Sequence, residues 1–324
     1  MPRYTHTVCV EFFGEDLGQA VPAIVEIKAY LDRHAQVGCA GLEHLDERYI
    51  RAIGYNAKAA RRERPKMVLL ADLVGEDLPA VAAASAQVIQ LANARGGEGF
   101  TATTPEGREQ FWSDRARTAA IAAHTNAFKI NEDVVIPLEG LALYSEGIER
   151  LNIEQSIRNK LRILQAMQHF LAGDGWLNLL PGRAQGGFEQ EGGAILKGKK
   201  EAALALLTRV QHRWQTFLDH LESPVTDPVL PLEAGERELA RPGERFIQLL
   251  LRRGLRISFR GEVAQPLQNL FGGDLWEGVR RELAAIHGSI RSSRLFAALH
   301  MHAGDGNVHT NIPVNSNDYE MLQA

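Results

Sequence analysis

Apolar positions along this chain follow two different periods, and the change of period divides it. Near the N-terminus, Thr7–Gly14 is β-branched and aromatic and closes on a glycine, which predicts a strand. Met67–Val74 predicts a second strand, and Gly18–Arg33 between them reads as a helix. A further helix is expected over Pro79–Arg95, capped by Asp77 and begun by Pro79. Its positions Val81, Ala84, Val88, Leu91 and Ala92 share one face, and Gly96-Gly97 stops it. Residues 108–124 have helical composition, and Asp133–Pro137 predicts a short strand ended by proline.

From Leu138 to about Ile290 the helical period takes over. Within Lys200–Leu221, the side chains of Ala203, Leu207, Val210, Trp214, Phe217, Leu218 and Leu221 form a single stripe, ordinary core material. The glycine-rich stretch Gly182–Gly198 and the proline-marked loop Ser223–Pro231 interrupt the region. Arg294–His300 then returns to a strand pattern, followed by a glycine-rich turn. A last helix is expected to start at Asn317–Leu322; it is cut off one turn in, which reads as a truncation. Together these elements predict an α+β fold, a mostly antiparallel sheet with helices on one face, carrying a large helical insertion. The expected division is 1–137 for the α+β part, 138–293 for the insertion and 294–324 for the returning strand.

Composition narrows the function classes. The 324 residues carry 36 Lys and Arg against 40 Asp and Glu, a net charge of −4, which excludes the basic footprint of a nucleic-acid binder. At 45% hydrophobic the chain can build a core, and disorder is excluded. Met67–Val74 is too short to span a bilayer, and the N-terminus lacks the apolar core of a signal peptide. Two cysteines, Cys9 and Cys39, make no disulfide framework, so a cytoplasmic location is expected, with a peripheral position at the inner membrane face left open.

The densest chemistry lies in His300-Met301-His302-Ala303-Gly304-Asp305-Gly306-Asn307-Val308-His309-Thr310-Asn311. Strand alternation puts His300 and His302 on one face. His302 and His309 bracket a turn that lets their imidazoles converge, and two neutral imidazoles suit Zn²⁺ or another borderline divalent ion. A well-held metal needs a third ligand, and only Asp318 and Glu320 follow His309. Other signals are weaker. Gly193–Lys200 imitates a phosphate loop but ends on Lys200 and follows no strand, so it reads as a solvated loop. Gly304-Asp305-Gly306 lacks the third glycine of a dinucleotide fingerprint. Arg61–Lys66 reads as a solvated basic run, and Glu43, His44 and Asp46 as structural residues on alternating faces.

The run HAGDGNVHTN resembles the H-x-G-D-G-N-x-H-x-N motif of FAD-dependent 2-hydroxy-acid dehydrogenases, the FAD-linked oxidase C-terminal family. That family includes D-lactate and D-2-hydroxyglutarate dehydrogenases and the glycolate oxidase D subunit. Phe111–Arg115 and Glu132–Pro137 resemble its W-x-x-R and E-D-V-x-V-P elements, in the same order. The resemblance implies a ferredoxin-like substrate cap domain whose partner is an FAD-binding domain. It implies that His302 and His309 bind a divalent metal, Zn being the expected one. Arg115 would pair with the substrate carboxylate, Asn311 would stand near the substrate, and Lys129 lies near the position of a substrate lysine. Gly304, Asp305, Gly306 and Asn307 would line the cofactor side. The family's Glu-His-Gly motif, with a third ligand and a base, does not occur here, and neither does its FAD domain.

The residues around Arg115 agree with that role. Phe111, Trp112, Thr118 and Ala119 lie within one helical turn, so the guanidinium leaves a largely apolar face and needs a partner. The expected function is therefore the substrate- and metal-binding part of a dehydrogenase for a small D-2-hydroxy acid. Its electrons would pass to a quinone, an electron-transfer flavoprotein or an iron–sulfur module. Such a fragment alone is expected to be colourless and inactive. The alternative is a non-catalytic helical interaction module that retains the cap fold.

Overall fold

The computed structural model describes residues 2–14, 17–61, 63–116, 128–181, 190–314 and 319–323. Packing divides the chain into two compact units, Met1–Leu151 with Leu295–Ala324, and Asn152–Arg294.

In the first unit the chain runs β1 (Tyr4–Phe12), α1 (Leu17–Asp32), β2 (Val37–Asp46), α2 (Glu47–Ala52), β3 (Met67–Gly75), α3 (Leu78–Ala94), β4 (Gly97–Ala102), α4 (Pro105–Ala116) and β5 (Phe128–Val135). Helix α5 (Leu141–Ala172) spans the boundary in sequence, and β6 (Ala298–His302) and β7 (Asn307–Val314) return to the first unit. The seven strands form one sheet in the order β4-β1-β3-β2-β6-β7-β5, and every neighbouring pair is antiparallel. The class is α+β, as the periodicity predicts. The part β1-α1-β2-β3-α3-β4, in order 4-1-3-2, is the ferredoxin-like arrangement.

Strand alternation decides which residues meet which layer. Val8, Val10 and Phe12 of β1 and Met67, Leu69, Ala71 and Leu73 of β3 face one core, with Ile24 and Ile27 of α1 and Val81, Ala84 and Val88 of α3. The intervening Cys9, Val68 and Leu70 face a second core with Tyr49 and Ile50 of α2, against which Phe111 and Trp112 of α4 pack. Burial on both faces explains why β3 reads as an unbroken apolar run. The two long helices share a face, as expected, and the short α2 and α4 cover part of the other.

Three strands, β2, β4 and β7, are not among those the periodicity predicts. The glycine-rich β4 has little intrinsic preference for a strand. It forms because Gly97 and Gly99 let the backbone approach: a Cβ at Gly99 would meet Ile89 Cγ1 at 2.6 Å and one at Gly97 would meet Val10 Cγ1 at 2.8 Å. In β2, a bulge between Cys39 and Gly41 breaks the alternation before Glu43. Of the helix expected over 108–124, α4 accounts for the residues to Ala116; 117–124 lie outside the described residues. Of the strand expected at Asp133–Pro137, only Asp133–Val135 lies in β5, as its end, and that expected at Arg294–His300 is displaced to β6.

The second unit is helical, built on α6 (Gln190–Asp219) and α7 (Glu277–Ser292) with shorter helices between. The stripe Ala203, Leu207, Val210, Trp214, Phe217 and Leu221 is buried there, as its spacing predicts. Glu262 lies within a π-helical turn, Arg260–Ala264; it accepts from Trp214 Nε1 at 2.9 Å and the Ser258 amide at 3.0 Å, and Arg213 pairs with it at 3.2 Å. The phosphate-loop imitation Gly193–Lys200 is helix, not the expected loop, because the amphipathic period of α6 extends through it. Residues 182–189 lie outside the described residues. Among the described residues no helix is long and apolar enough to cross a membrane.

Candidate functional site

The β6–β7 hairpin pairs His300 with His309 and His302 with Asn307. Its turn depends on Gly306, whose φ of +74° favours glycine and whose Cβ, if present, would lie 2.4 Å from the Ile136 carbonyl oxygen. The Ile136 amide donates back to the Gly306 carbonyl at 3.0 Å, and the Gly304 amide donates to the Leu42 carbonyl at 3.2 Å. Asp305 accepts from the Asn307 amide at 3.2 Å, closing the turn on itself.

Three imidazoles gather on the sheet face that carries α2 and α4. The His300 and His309 rings stack with centroids 4.5 Å apart, and His302 stands nearly perpendicular to His309 at 5.0 Å. Their partners determine where the protons sit. Asn311 Nδ2 donates to the His309 carbonyl at 3.1 Å, which orients the amide, and also to His300 Nδ1 at 3.0 Å. In the neutral His300 ring the proton is therefore on Nε2. His302 Nδ1 faces Glu43 Oε1 at 2.5 Å and His309 Nδ1 faces Asp133 Oδ1. A carboxylate only accepts, so these two rings donate from Nδ1 and carry their lone pairs on Nε2. His309 Nε2, Asn311 Oδ1 and Tyr49 Oη are buried, with no hydrogen-bond partner among the described residues. Tyr49 packs edge-on against His300 at 4.9 Å, and burial raises its phenol well above the usual range.

Arg115 reaches this cluster through Glu43. Its Nε donates to Glu43 Oε2 at 2.9 Å, so one carboxylate joins Arg115 of α4 to His302 of β6. Helix α4 is seated by Trp112, whose Nε1 donates to Asp72 Oδ1 at 3.0 Å, and Thr7 donates to the same oxygen at 2.5 Å. Beneath, Asp46 caps α2 by accepting the Tyr49 amide, and burial pushes its carboxyl up to about 6. His44, on the opposite sheet face from Glu43, is held down to about 4 by burial. Asp133 sits below the usual carboxylate range because His309 hydrogen-bonds to it.

Arg115, His302, His309 and Asn311 thus share one face, although nearly two hundred residues separate the first from the rest. Lys129 pairs through its backbone with Pro313 in β5–β7, and its side chain lies outside the described residues, as do those of Asp318 and Glu320. Glu43, read from sequence as structural, belongs to the site; its burial beside an arginine and a histidine needs the tertiary fold to be seen. Asp133, His300 and Tyr49 had no assigned role. Their signal was partial: Asp133 sits in the E-D-V-V-I-P run and His300 shares strand alternation with His302.

Residues 1–194 match the family model described as FAD linked oxidases, C-terminal domain. The chain belongs to this family. Membership in the FAD-linked oxidases places it among flavin-dependent oxidoreductases. No curated protein is significantly similar to the chain. The matched residues supply β1 to β5, and β6 and β7, which carry the histidines, complete the sheet from outside the matched range.

Flavin and metal fit the residues unequally. Gly306 is pressed against Ile136 and Asp305 is turned into its own hairpin, so this turn is accounted for by the fold and no flavin contact follows from it. Among the described residues, no three His, Cys, Asp or Glu side chains are grouped to hold a metal. The pair His302 and His309 does have the donor chemistry: two Nε2 lone pairs, each backed by a carboxylate on Nδ1, one of them orphaned in a buried position.

Proposed function

We propose that this chain supplies the substrate-binding and metal-binding part of a flavin-dependent dehydrogenase that oxidises a small D-2-hydroxy acid to the 2-oxo acid. The observation that carries the reading is the meeting of Arg115 with the His302–His309 pair on one sheet face. Two imidazoles sharing a tetrahedral ion at about 2.0–2.1 Å stand with centroids about 5 Å apart. The 5.0 Å separation of His302 and His309 agrees with that spacing.

In this reading Arg115 binds the substrate carboxylate, which suits the planar fork of a guanidinium. His302 and His309 hold the divalent ion, and its third ligand comes from outside the described residues. Such an ion supplies Lewis acidity toward a hydroxyl and so lowers its pKa. Flavin supplies the two-electron oxidising capacity. Asn311, whose Oδ1 is buried and has no partner among the described residues, accepts a hydrogen bond from the substrate hydroxyl. The partners are an FAD-binding domain and a downstream electron acceptor.

Calorimetric titration of the 324-residue chain with ZnCl₂, then with D-lactate, tests the reading. Zn²⁺ binding that His302→Ala and His309→Ala each abolish, with D-lactate binding that Arg115→Ala removes, is expected. A chain that binds neither overturns it.

A further inference from the structure

Glu43 touches both halves of this site. One oxygen, Oε1, lies 2.5 Å from His302 Nδ1, and the other, Oε2, accepts from Arg115 Nε at 2.9 Å. The residue is only 8% exposed, so water does not replace either bond readily. Its place comes from the register of two ladders: β2 pairs Glu43 with Leu70 on one side and with His302 on the other.

We propose that Glu43 is a positioning residue that sets the metal-binding tautomer of His302 and the aim of Arg115 together. This rests on the reading of His302 as a metal ligand and Arg115 as the carboxylate partner. The chemistry requires a carboxylate. His302 Nδ1 and Arg115 Nε are both donors, and only a group with two accepting oxygens satisfies both. An accepting partner on Nδ1 keeps the lone pair on Nε2, where a metal is bound. The same negative charge holds the guanidinium against the sheet, and a fixed guanidinium loses less entropy when a second carboxylate arrives.

Glutamine at this position fails for a stated reason. If its NH₂ faces His302, Nδ1 must accept, the proton moves to Nε2 and the metal-binding lone pair is lost. If its oxygen faces His302 instead, the NH₂ confronts Arg115 Nε, donor against donor. One of the two bonds is lost in either orientation.

The test uses the 324-residue chain labelled with ¹⁵N in histidine and arginine, at mildly alkaline pH. Long-range ¹H–¹⁵N spectra report the His302 tautomer, and the Arg115 Nε–H resonance reports its hydrogen bond; neither needs metal. In the unaltered chain, His302 protonated at Nδ1 and a slowly exchanging Arg115 Nε–H are expected. Glu43→Gln should lose at least one of these signatures and weaken Zn²⁺ binding by about tenfold or more. His302 protonated at Nε2 in the unaltered chain overturns the proposal, and this measurement stands even if the variant does not fold. So does a Glu43→Gln chain that keeps both signatures and unchanged Zn²⁺ affinity. If the unaltered chain binds no Zn²⁺, the metal reading fails, while the two resonances still decide the role of Glu43.

Discussion

Asp46 Oδ2 accepts the backbone N–H of Leu299 at 2.7 Å, although 253 positions separate the two residues. Its other oxygen accepts the Tyr49 amide at 2.7 Å, so one carboxyl ties the start of α2 to the strand that carries His300 and His302. That link is buried, and its titration should be visible in stability.

Burial raises the Asp46 carboxyl from 3.8 to about 6 in the folded chain. A raised folded value means the native state holds the proton more tightly than the unfolded chain. The resulting stability is fully present below the unfolded value and is lost as pH rises through about 6. A shift of this size corresponds to about 2–3 kcal/mol. Asp46→Asn lacks this titration, so its destabilisation relative to the unaltered chain should grow as pH falls from neutral toward 4. Urea unfolding of both chains across that range measures it; a cost that shrinks with falling pH would contradict burial as the dominant cause.

Trp112 anchors α4 through its indole N–H on Asp72. Trp112→Phe keeps most of the ring and removes the donor. A hydrogen bond to a charged acceptor is worth about 1.5–3 kcal/mol, and that loss should appear in urea unfolding. Because α4 carries Arg115, the variant should also weaken D-lactate binding while leaving Zn²⁺ affinity nearly unchanged. A loss of Zn²⁺ affinity as large as the loss of D-lactate binding would mean the damage is global.

Gly306→Ala meets two obstacles at once. A side chain at positive φ costs about 1–2 kcal/mol. The new methyl would also lie against the Ile136 carbonyl, which receives no room from the hairpin. Thermal unfolding should shift downward, and the His309 resonances should move because β7 begins at the displaced turn. A variant with an unaltered midpoint and spectrum would falsify the structural account of this glycine.

Asp133 and Glu43 perform the same duty for different histidines, in different surroundings. The Asp133 side chain is 53% exposed and that of Glu43 is 11% exposed. Water can take over as acceptor at His309 Nδ1 far more easily than at His302 Nδ1. Asp133→Ala should therefore weaken Zn²⁺ binding less than Glu43→Gln does, within the range of about 10–100-fold known for such partners. Calorimetry on the two variants ranks them, and the reverse order would contradict this use of exposure.

Local sequence determined the elements whose energetics are local. The run Met67–Val74 is a strand in any context that buries both its faces, and Asp77 with Pro79 begins α3 through a cap formed by neighbouring residues. The stripe through Trp214 and Phe217 likewise announced its own burial, because a helix places those positions together without help from the rest of the chain. The histidine and glycine run could be read for the same reason: a hairpin joins His302 to His309 over a short loop.

Only the tertiary structure decided the rest. The strand β4 exists because Gly97 and Gly99 fit beneath Val10, Phe12 and Ile89, a matter of space and not of propensity. Glu43 looked like one of several alternating polar residues until the pairing of β2 with β6 set it beside His302, and the seating of α4 brought Arg115 to its other oxygen. A charge on a strand is unremarkable in sequence, because nothing local distinguishes a solvated carboxylate from one held between an imidazole and a guanidinium. That distinction comes from burial and from partners tens to hundreds of residues away, and these are properties of the folded sheet alone.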